Sequence, residues 1–307
     1  MTKAAASITA PPGVMVAYLM LTGTALFWAG NTIVGRAVIN DLPPLGLAFW
    51  RSFGAFLLIA PFGLPRVWRA RDAAIAHWKL LTLLGLLGMT AFSALVFVAL
   101  HHTTGVNGSL IQGSLPVTLV VLSWIILGNR ISRRQAVGVA LGFVGLVTIV
   151  ARGDISVLTD LTFNVGDPIL WLGVFCHGLF SILVTRRPAE IDLIALLTIG
   201  FFVGSVTTLP LHIWEMANGQ MIPFNGTSVL AIAFIALFPS VLAQLFWVEA
   251  IQRVGPTTAG YFIYLTPVFG TLMAITLLGE IFAWFHGVGI MLIFGGVYLA
   301  TVAKSTK

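Results

Sequence analysis

Long apolar runs separated by short polar stretches dominate the chain. Ten of them reach or approach the length of about 20 residues that a helix needs to cross roughly 30 Å of hydrocarbon. They fall at 14–34, 45–63, 80–100, 108–127, 136–151, 168–185, 191–213, 228–248, 259–278 and 284–303. The fifth, with 16 residues, has to stand nearly upright or stop below the interface. The runs are continuous and do not alternate with period two, which excludes a spanning β-barrel. The pattern predicts an all-α polytopic membrane protein. The stretch before Val14 holds one lysine, Pro11 and Pro12 and lacks a small-residue cleavage site after the first apolar run, so no cleaved signal peptide is expected.

Composition agrees. Of 307 residues 58% are hydrophobic and 8% charged, against about 25% charged in soluble domains. Ten acids and sixteen bases cannot cover a water-facing surface of this size, so a soluble globular enzyme, a disordered chain and a disulfide scaffold are excluded. Cys176 is the single cysteine, which leaves no intramolecular disulfide and no cysteine metal cluster.

The net charge of +6 suggests nucleic acid in a soluble protein, but its placement says otherwise. With ten spans and a cytoplasmic N-terminus, the inner segments hold Lys3, Arg66, Arg69, Arg71, Lys79, Arg130, Arg133, Arg134, Arg186, Arg187, Arg253, Lys304 and Lys307. The outer side holds Arg36 and Arg152, and Arg51 lies inside the second span. Thirteen inside, two outside and one in the membrane account for all sixteen bases. This is the positive-inside pattern, so both termini are expected in the cytoplasm and no nucleic-acid partner is expected.

The two halves of the chain match at a constant offset of 151 residues. Ala99 aligns with Ala250, Pro116-Val117 with Pro267-Val268, Leu127-Gly128 with Leu278-Gly279, Val137-Gly138 with Val288-Gly289, and Phe143 and Gly145 with Phe294 and Gly296, without a gap. Five spans per copy is an odd number, so the second copy sits upside down relative to the first. Inverted repeats build secondary transporters, in which one half rocks against the other around a site near the midplane. The expected organisation is a tail at 1–13, a first repeat at 14–151, an outer linker at 152–167, a second repeat at 168–303 and a tail at 304–307.

Several motifs carry a resemblance. Phe27-Trp28-Ala29-Gly30-Asn31 in the first span, Phe49-Trp50-Arg51 in the second, and the runs Pro116…Leu127-Gly128 and Pro267…Leu278-Gly279-Glu280, each followed by a glycine-rich helix, resemble the EamA-type drug/metabolite transporters. Within that superfamily the chain is similar to the YddG-type amino-acid exporters. It departs from the pattern at Asn129, where the family usually carries glutamate, and in having few aromatics in the fourth and sixth spans. The second departure argues against strict aromatic specificity. The resemblance implies a central cavity lined by the first, third, fourth, sixth, eighth and ninth spans, with the fifth and tenth at the periphery. It also implies outward movement of amino acids or similar metabolites across a cell inner membrane, here with broad selectivity.

A polar side chain inside a membrane is costly and is a functional candidate by default, though it can equally satisfy a neighbouring helix. His177, at the middle of the sixth span, either meets a substrate carboxylate or titrates during transport, or is a neutral histidine bonded across helices. Gln112 and Ser114 precede Pro116, and Tyr264 and Thr266 precede Pro267. A proline frees the carbonyl one turn earlier, so these segments either expose polar backbone to the cavity or simply kink. Trp28, Asn31, Phe92, Ser93, Gln244 (after Pro239) and Tyr261 complete the candidate substrate contacts, and Pro116, Pro239 and Pro267 the candidate hinges or helix-shaping positions. Arg51 either attracts a substrate carboxylate or, as the stronger expectation, snorkels outward or pairs with Asp41 or Glu280. Trp68, Trp78, Trp214 and Trp284 read as an interfacial belt.

Glu249 and Glu280 lie at opposite span ends, and no carboxylate is expected at mid-membrane. The usual ion relay is therefore missing, which leaves His177 as the proton-coupling candidate and favours facilitated or weakly coupled export. The two histidines of His101 to Gly105 lack the further ligands a metal site needs, and no phosphate loop is present. No metal, cofactor or catalytic set is expected, and the state is monomer or weak dimer. The rival readings are a nucleotide-sugar or other metabolite carrier, which needs more cavity bases, and a membrane-embedded enzyme or a channel.

Overall fold

The computed structural model describes residues 12–38, 42–223 and 225–302. The tail residues 1–11 and 303–307, with Lys3, Lys304 and Lys307, fall outside these, as do Asp41 and the side chain of Arg36. Among the described residues all regular structure is helical. Ten helices are long and apolar enough to cross a membrane: Gly13–Gly35, Pro44–Arg69, Trp78–Leu100, Gly105–Leu127, Arg133–Val150, Gly166–Arg186, Leu193–Ala217, Gly226–Val254, Pro256–Leu277 and Trp284–Val302. They are called spans one to ten below.

Most differences from the expected boundaries are extensions past an apolar core. Span two continues through Pro61 and Pro65 to Arg69, because span seven packs along it and a membrane helix tolerates the lost bond when neighbours support it. Span eight continues past Val248 into a polar turn in which Arg253 donates to Glu249 at 2.7 Å, an i,i+4 pair.

The repeat is visible in local geometry. Span three contains a π-helical segment at Leu86–Ala91 and span eight one at Ala236–Leu242, equivalent stretches at the offset of 151. Span four breaks at Gly113–Ser114 ahead of Pro116, and span nine passes through a 3-10 turn at Phe262–Tyr264 ahead of Pro267. Both then end at a left-handed glycine, Gly128 with φ of 70° and Gly279 with φ of 71°. Only glycine enters that region without a Cβ penalty.

Spans five and ten cross where side chains are absent. A Cβ on Gly138 would lie 2.6 Å from the Gly296 carbonyl oxygen, and one on Gly145 would lie 2.7 Å from that of Gly289. Gly138 and Gly289 are repeat mates, as are Gly145 and Gly296. Exchanging the two halves therefore turns one contact into the other, as a two-fold axis in the membrane plane requires.

Spans two and seven form the second close pair. At one end Glu215, buried, accepts from the backbone N–H groups of Leu45 at 3.1 Å and Gly46 at 2.5 Å. It thereby satisfies the open first turn of span two. At the other end Arg66 lies 3.4 Å from Asp192, which also caps span seven by accepting from Ala195 N–H. Trp68, Trp78, Trp214 and Trp284 all project from span ends and are exposed.

Candidate functional site

A cavity of about 430 Å³ lies between the repeats. Its rim includes exposed Thr32, Gly105, Arg152 and Glu280, at the end of the bundle opposite the first turn of span one and the last of span ten. The walls combine aromatic faces, Trp28, Phe92 and Phe97, with the polar groups of Asn31, Gln112 and Thr266. Such a cavity, mostly apolar with a few placed polar groups, has the make-up of a small-molecule site.

The structure brings Trp28, Asn31, Phe92, Gln112, Tyr264 and Pro267 into the cavity wall. It leaves out Ser93, Ser114, His177, Gln244, Tyr261, Pro116 and Pro239. Ser114 is turned back onto the Ile111 carbonyl at 2.6 Å, so its hydroxyl is consumed within its own helix. His177 is fully buried beneath the floor, with Phe92, Trp28 and Trp247 rings 4.5, 5.5 and 5.8 Å from it. Among the described residues neither of its ring nitrogens has a hydrogen-bond partner, and the same holds for the Tyr261 and Tyr264 hydroxyls and Gln244 Oε1. Pro116 stands at the start of the second half of span four and Pro239 within the π-helical segment of span eight.

The lining differs from the expected set of spans. Leu146, Ile149 and Val150 of span five face the cavity, and span eight contributes nothing to it. Span eight is held away because Trp247 is packed under the floor and donates its indole N–H to Ser181 Oγ at 3.0 Å.

The two ends of the cavity are not alike, although the repeats would make them so. On the closed side Thr257 donates to Ser123 at 2.9 Å, and a Cβ on Gly260 would lie 2.8 Å from Leu119 Cδ1. These contacts join span nine to span four. The repeat mates of Thr257 and Ser123 are Val106 and Ala274, and those of Gly260 and Leu119 are Ser109 and Gly270. All four mates line the cavity, and the Cβ position of Gly270 has no neighbour within 4 Å.

Arg51, for which the sequence favours a structural role, is a charged residue of the cavity wall. It does not snorkel and is in no ion pair among the described residues, Glu280 included, while the alternative partner Asp41 lies outside them. It is buried, donates from Nε to Ser240 Oγ at 2.8 Å, and sits over the Phe97 ring at 6.0 Å. The buried acids are used elsewhere. Glu215 holds span two, and Asp167 accepts from Thr103, Asn107 and the Asn164 backbone, fixing the start of span six to the start of span four and to the loop before each. No group of three or more potential metal ligands occurs among the described residues. Beyond the rim, hydrogen bonds from Ser156 hold the Asp154 carboxyl below the usual carboxylate range.

Phe97 and Thr271 also line the cavity, and nothing in the sequence distinguished them from packing residues. The sequence signal for Arg51 was its isolation as the one base inside a span.

The arrangement of two five-helix copies around a mid-bundle cavity has a counterpart among known proteins. Residues 15–151 and 164–302 match the EamA-like transporter family. The chain belongs to that family. It is thereby a multi-pass membrane transporter of the drug/metabolite transporter superfamily. An uncharacterised transporter of Archaeoglobus fulgidus is 29% identical over 94% of this chain and 98% of its own length. A probable terminal-alkyne amino-acid exporter of Streptantibioticus cattleyicolor is 26% identical over 84% of each chain. The uncharacterized inner membrane transporter YedA of Escherichia coli is 24% identical over 91% of this chain and 88% of its own. A protein crystal structure superposes with a TM-score of 0.72 at 17% identity, covering 94% of this chain and 96% of that one. At that identity the likeness concerns the fold alone.

Proposed function

We propose that the protein exports amino acids and related small metabolites across the inner membrane, with broad selectivity, by alternating access of its two repeats. The observation that carries the mechanism is the mismatch between the cavity's ends. Equivalent halves of spans four and nine touch at one end, through Thr257–Ser123 and Gly260–Leu119. At the other they stand apart around the cavity, with Val106, Ser109, Gly270 and Ala274 as the separated mates. A two-fold-related protein in an asymmetric state has a mirror state of comparable energy available to it, with the contacts exchanged. In that state Val106 meets Ala274, Ser109 meets Gly270, and the other end opens.

With both termini cytoplasmic, as the distribution of bases favours, the cavity described here faces outward. Inward opening then has to part Trp28, in the floor, from His177 and Trp247 packed beneath it. The unpartnered nitrogens of His177, Gln244 Oε1 and the Tyr261 hydroxyl are the polar groups such an opening would present to a substrate. Pro116, Pro239 and Pro267, each beside an interrupted helix, are the points at which the spans bend.

The amino-acid reading draws support from the Streptantibioticus exporter and from a cavity that combines aromatic faces with a few polar groups. Nucleotide sugars and other phosphorylated metabolites are disfavoured because, among the described residues, Arg51 is the one lysine or arginine in the cavity wall, with Arg152 at the rim. Proteoliposome uptake of a labelled amino-acid panel tests the reading. Saturable flux that competes between substrates and persists without a proton gradient is expected. Loss of flux on collapsing the gradient would remove the weakly coupled mechanism, and absence of flux for every amino acid would remove the substrate class.

A further inference from the structure

Arg51 is a buried cation in the cavity wall, and no ion pair among the described residues includes it. Its Nε is committed to Ser240 Oγ at 2.8 Å. The Ser240 hydroxyl is itself fixed, donating to the Ile235 carbonyl five residues back at 2.7 Å. That second bond spans the π-helical segment Ala236–Leu242. A guanidinium is planar, so a fixed Nε sets the plane and direction of the remaining fork. Neither Nη group has a hydrogen-bond partner among the described residues, and neither is among the fully buried unpartnered atoms, so the free end of the fork belongs to the cavity lining.

The geometry points to Arg51 as the anchor for a ligand carboxylate, and so assigns the cavity an organic monocarboxylate with an apolar body as its substrate class. This rests on the transport reading above and narrows it, because the carboxylate becomes the recognised group and an α-amino group becomes dispensable. The two Nη groups match a carboxylate's two oxygens in a bidentate, charge-assisted pair. One such fork neutralises one negative charge, which suits a carboxylate and leaves a phosphate dianion half-compensated. The ligand's body then lies along Trp28, Phe92 and Phe97, whose faces contribute area but little selectivity among side chains. The π-helical turn of span eight acts as the support that keeps the fork aimed, and Ser240 is a positioning residue.

The experiment uses the purified full-length protein in lipid nanodiscs and titrates phenylalanine, phenylpropionate and phenylalanine amide, with the same three compounds in proteoliposome flux assays. The expected result is that phenylalanine and phenylpropionate bind with similar affinity and the amide binds about tenfold or more weakly. Arg51→Gln should bring the two acids down to the level of the amide while leaving the amide unchanged, since a desolvated charge pair is lost. Arg51→Lys should fall between them, and Ser240→Ala should weaken the acids only. Equal affinity of acid and amide for the unaltered protein would overturn the assignment without any variant. So would failure of every carboxylate to bind, or a uniform loss of all three ligands in Arg51→Gln with a monodisperse elution profile. Carboxylates that bind through Arg51 but are not moved would contradict the transport reading and leave the anchor standing. Flux that ignores the carboxylate would do the reverse.

Discussion

The crossing of spans five and ten offers the cleanest energetic test of the repeat geometry. A Cβ on Gly145 would lie 2.7 Å from the Gly289 carbonyl oxygen, 2.8 Å from Ile293 Cγ1 and 3.0 Å from the Ile293 nitrogen. Two of these three atoms are backbone, so no rotamer change relieves the overlap and the helices have to separate. Overpacking of this kind costs about 1–3 kcal/mol, partly offset by a gain of about 1 kcal/mol for replacing glycine with alanine in a helix. Gly145→Ala should therefore lose up to about 2 kcal/mol. Gly295→Ala, on span ten with nothing within 4 Å of its Cβ position, carries the helix gain alone and should be neutral or slightly stabilising. Because the contact recurs through the two-fold axis, Gly296→Ala, with Gly138 O 2.5 Å and Gly142 N 2.7 Å from its Cβ position, should match Gly145→Ala. Thermal unfolding in detergent, followed by loss of the monodisperse elution peak, gives the ranking. A Gly145→Ala melting temperature equal to that of Gly295→Ala would refute the close crossing.

Two further predictions concern groups inside the bundle. Glu215→Ala leaves the Leu45 and Gly46 N–H groups without acceptors and should lower stability by about 1.5–3 kcal/mol, whereas Arg253→Ala, which breaks only a half-exposed pair, should change it by less than about 1 kcal/mol. Equal melting temperatures for the two variants would contradict the anchoring role of Glu215. His177→Phe keeps the aromatic stack and removes two unpartnered nitrogens, so it should stabilise the protein by about 1 kcal/mol while slowing transport. A destabilised variant that transports at the normal rate would show that His177 is bonded in the working protein and takes no part in flux.

The fold was legible because its signals are repeated. Ten apolar runs, one offset of 151 residues and glycines at matching places give the topology without any knowledge of side-chain contacts. Span ends were less legible where helices outlast their apolar stretch, as at Pro65–Arg69 and Glu249–Val254. The site was only partly legible, since burial decides which polar residues of a membrane helix face the cavity. Asn31 and Gln112 do so, but Ser114 bonds within its own helix and Gln244 lies beneath the floor. Arg51 carried a clear signal as a lone intramembrane base. Its partner Ser240 did not, because nothing in the residues around Pro239 announces that the helix there widens to a π turn. The contact between Thr257 and Ser123 was equally invisible, as it depends on which of two symmetric states the bundle occupies.

That exchange of contacts is the core of the transport account, and paired cysteines read it directly. In a Cys176→Ser background, Ser123→Cys with Thr257→Cys should cross-link in the state described here, while Val106→Cys with Ala274→Cys should cross-link only when the cavity closes. In membrane vesicles the account predicts that both pairs form, that each arrests flux, and that reduction restores it. If Val106→Cys and Ala274→Cys never join in vesicles that transport, the repeats do not exchange their contacts and alternating access by this route is wrong.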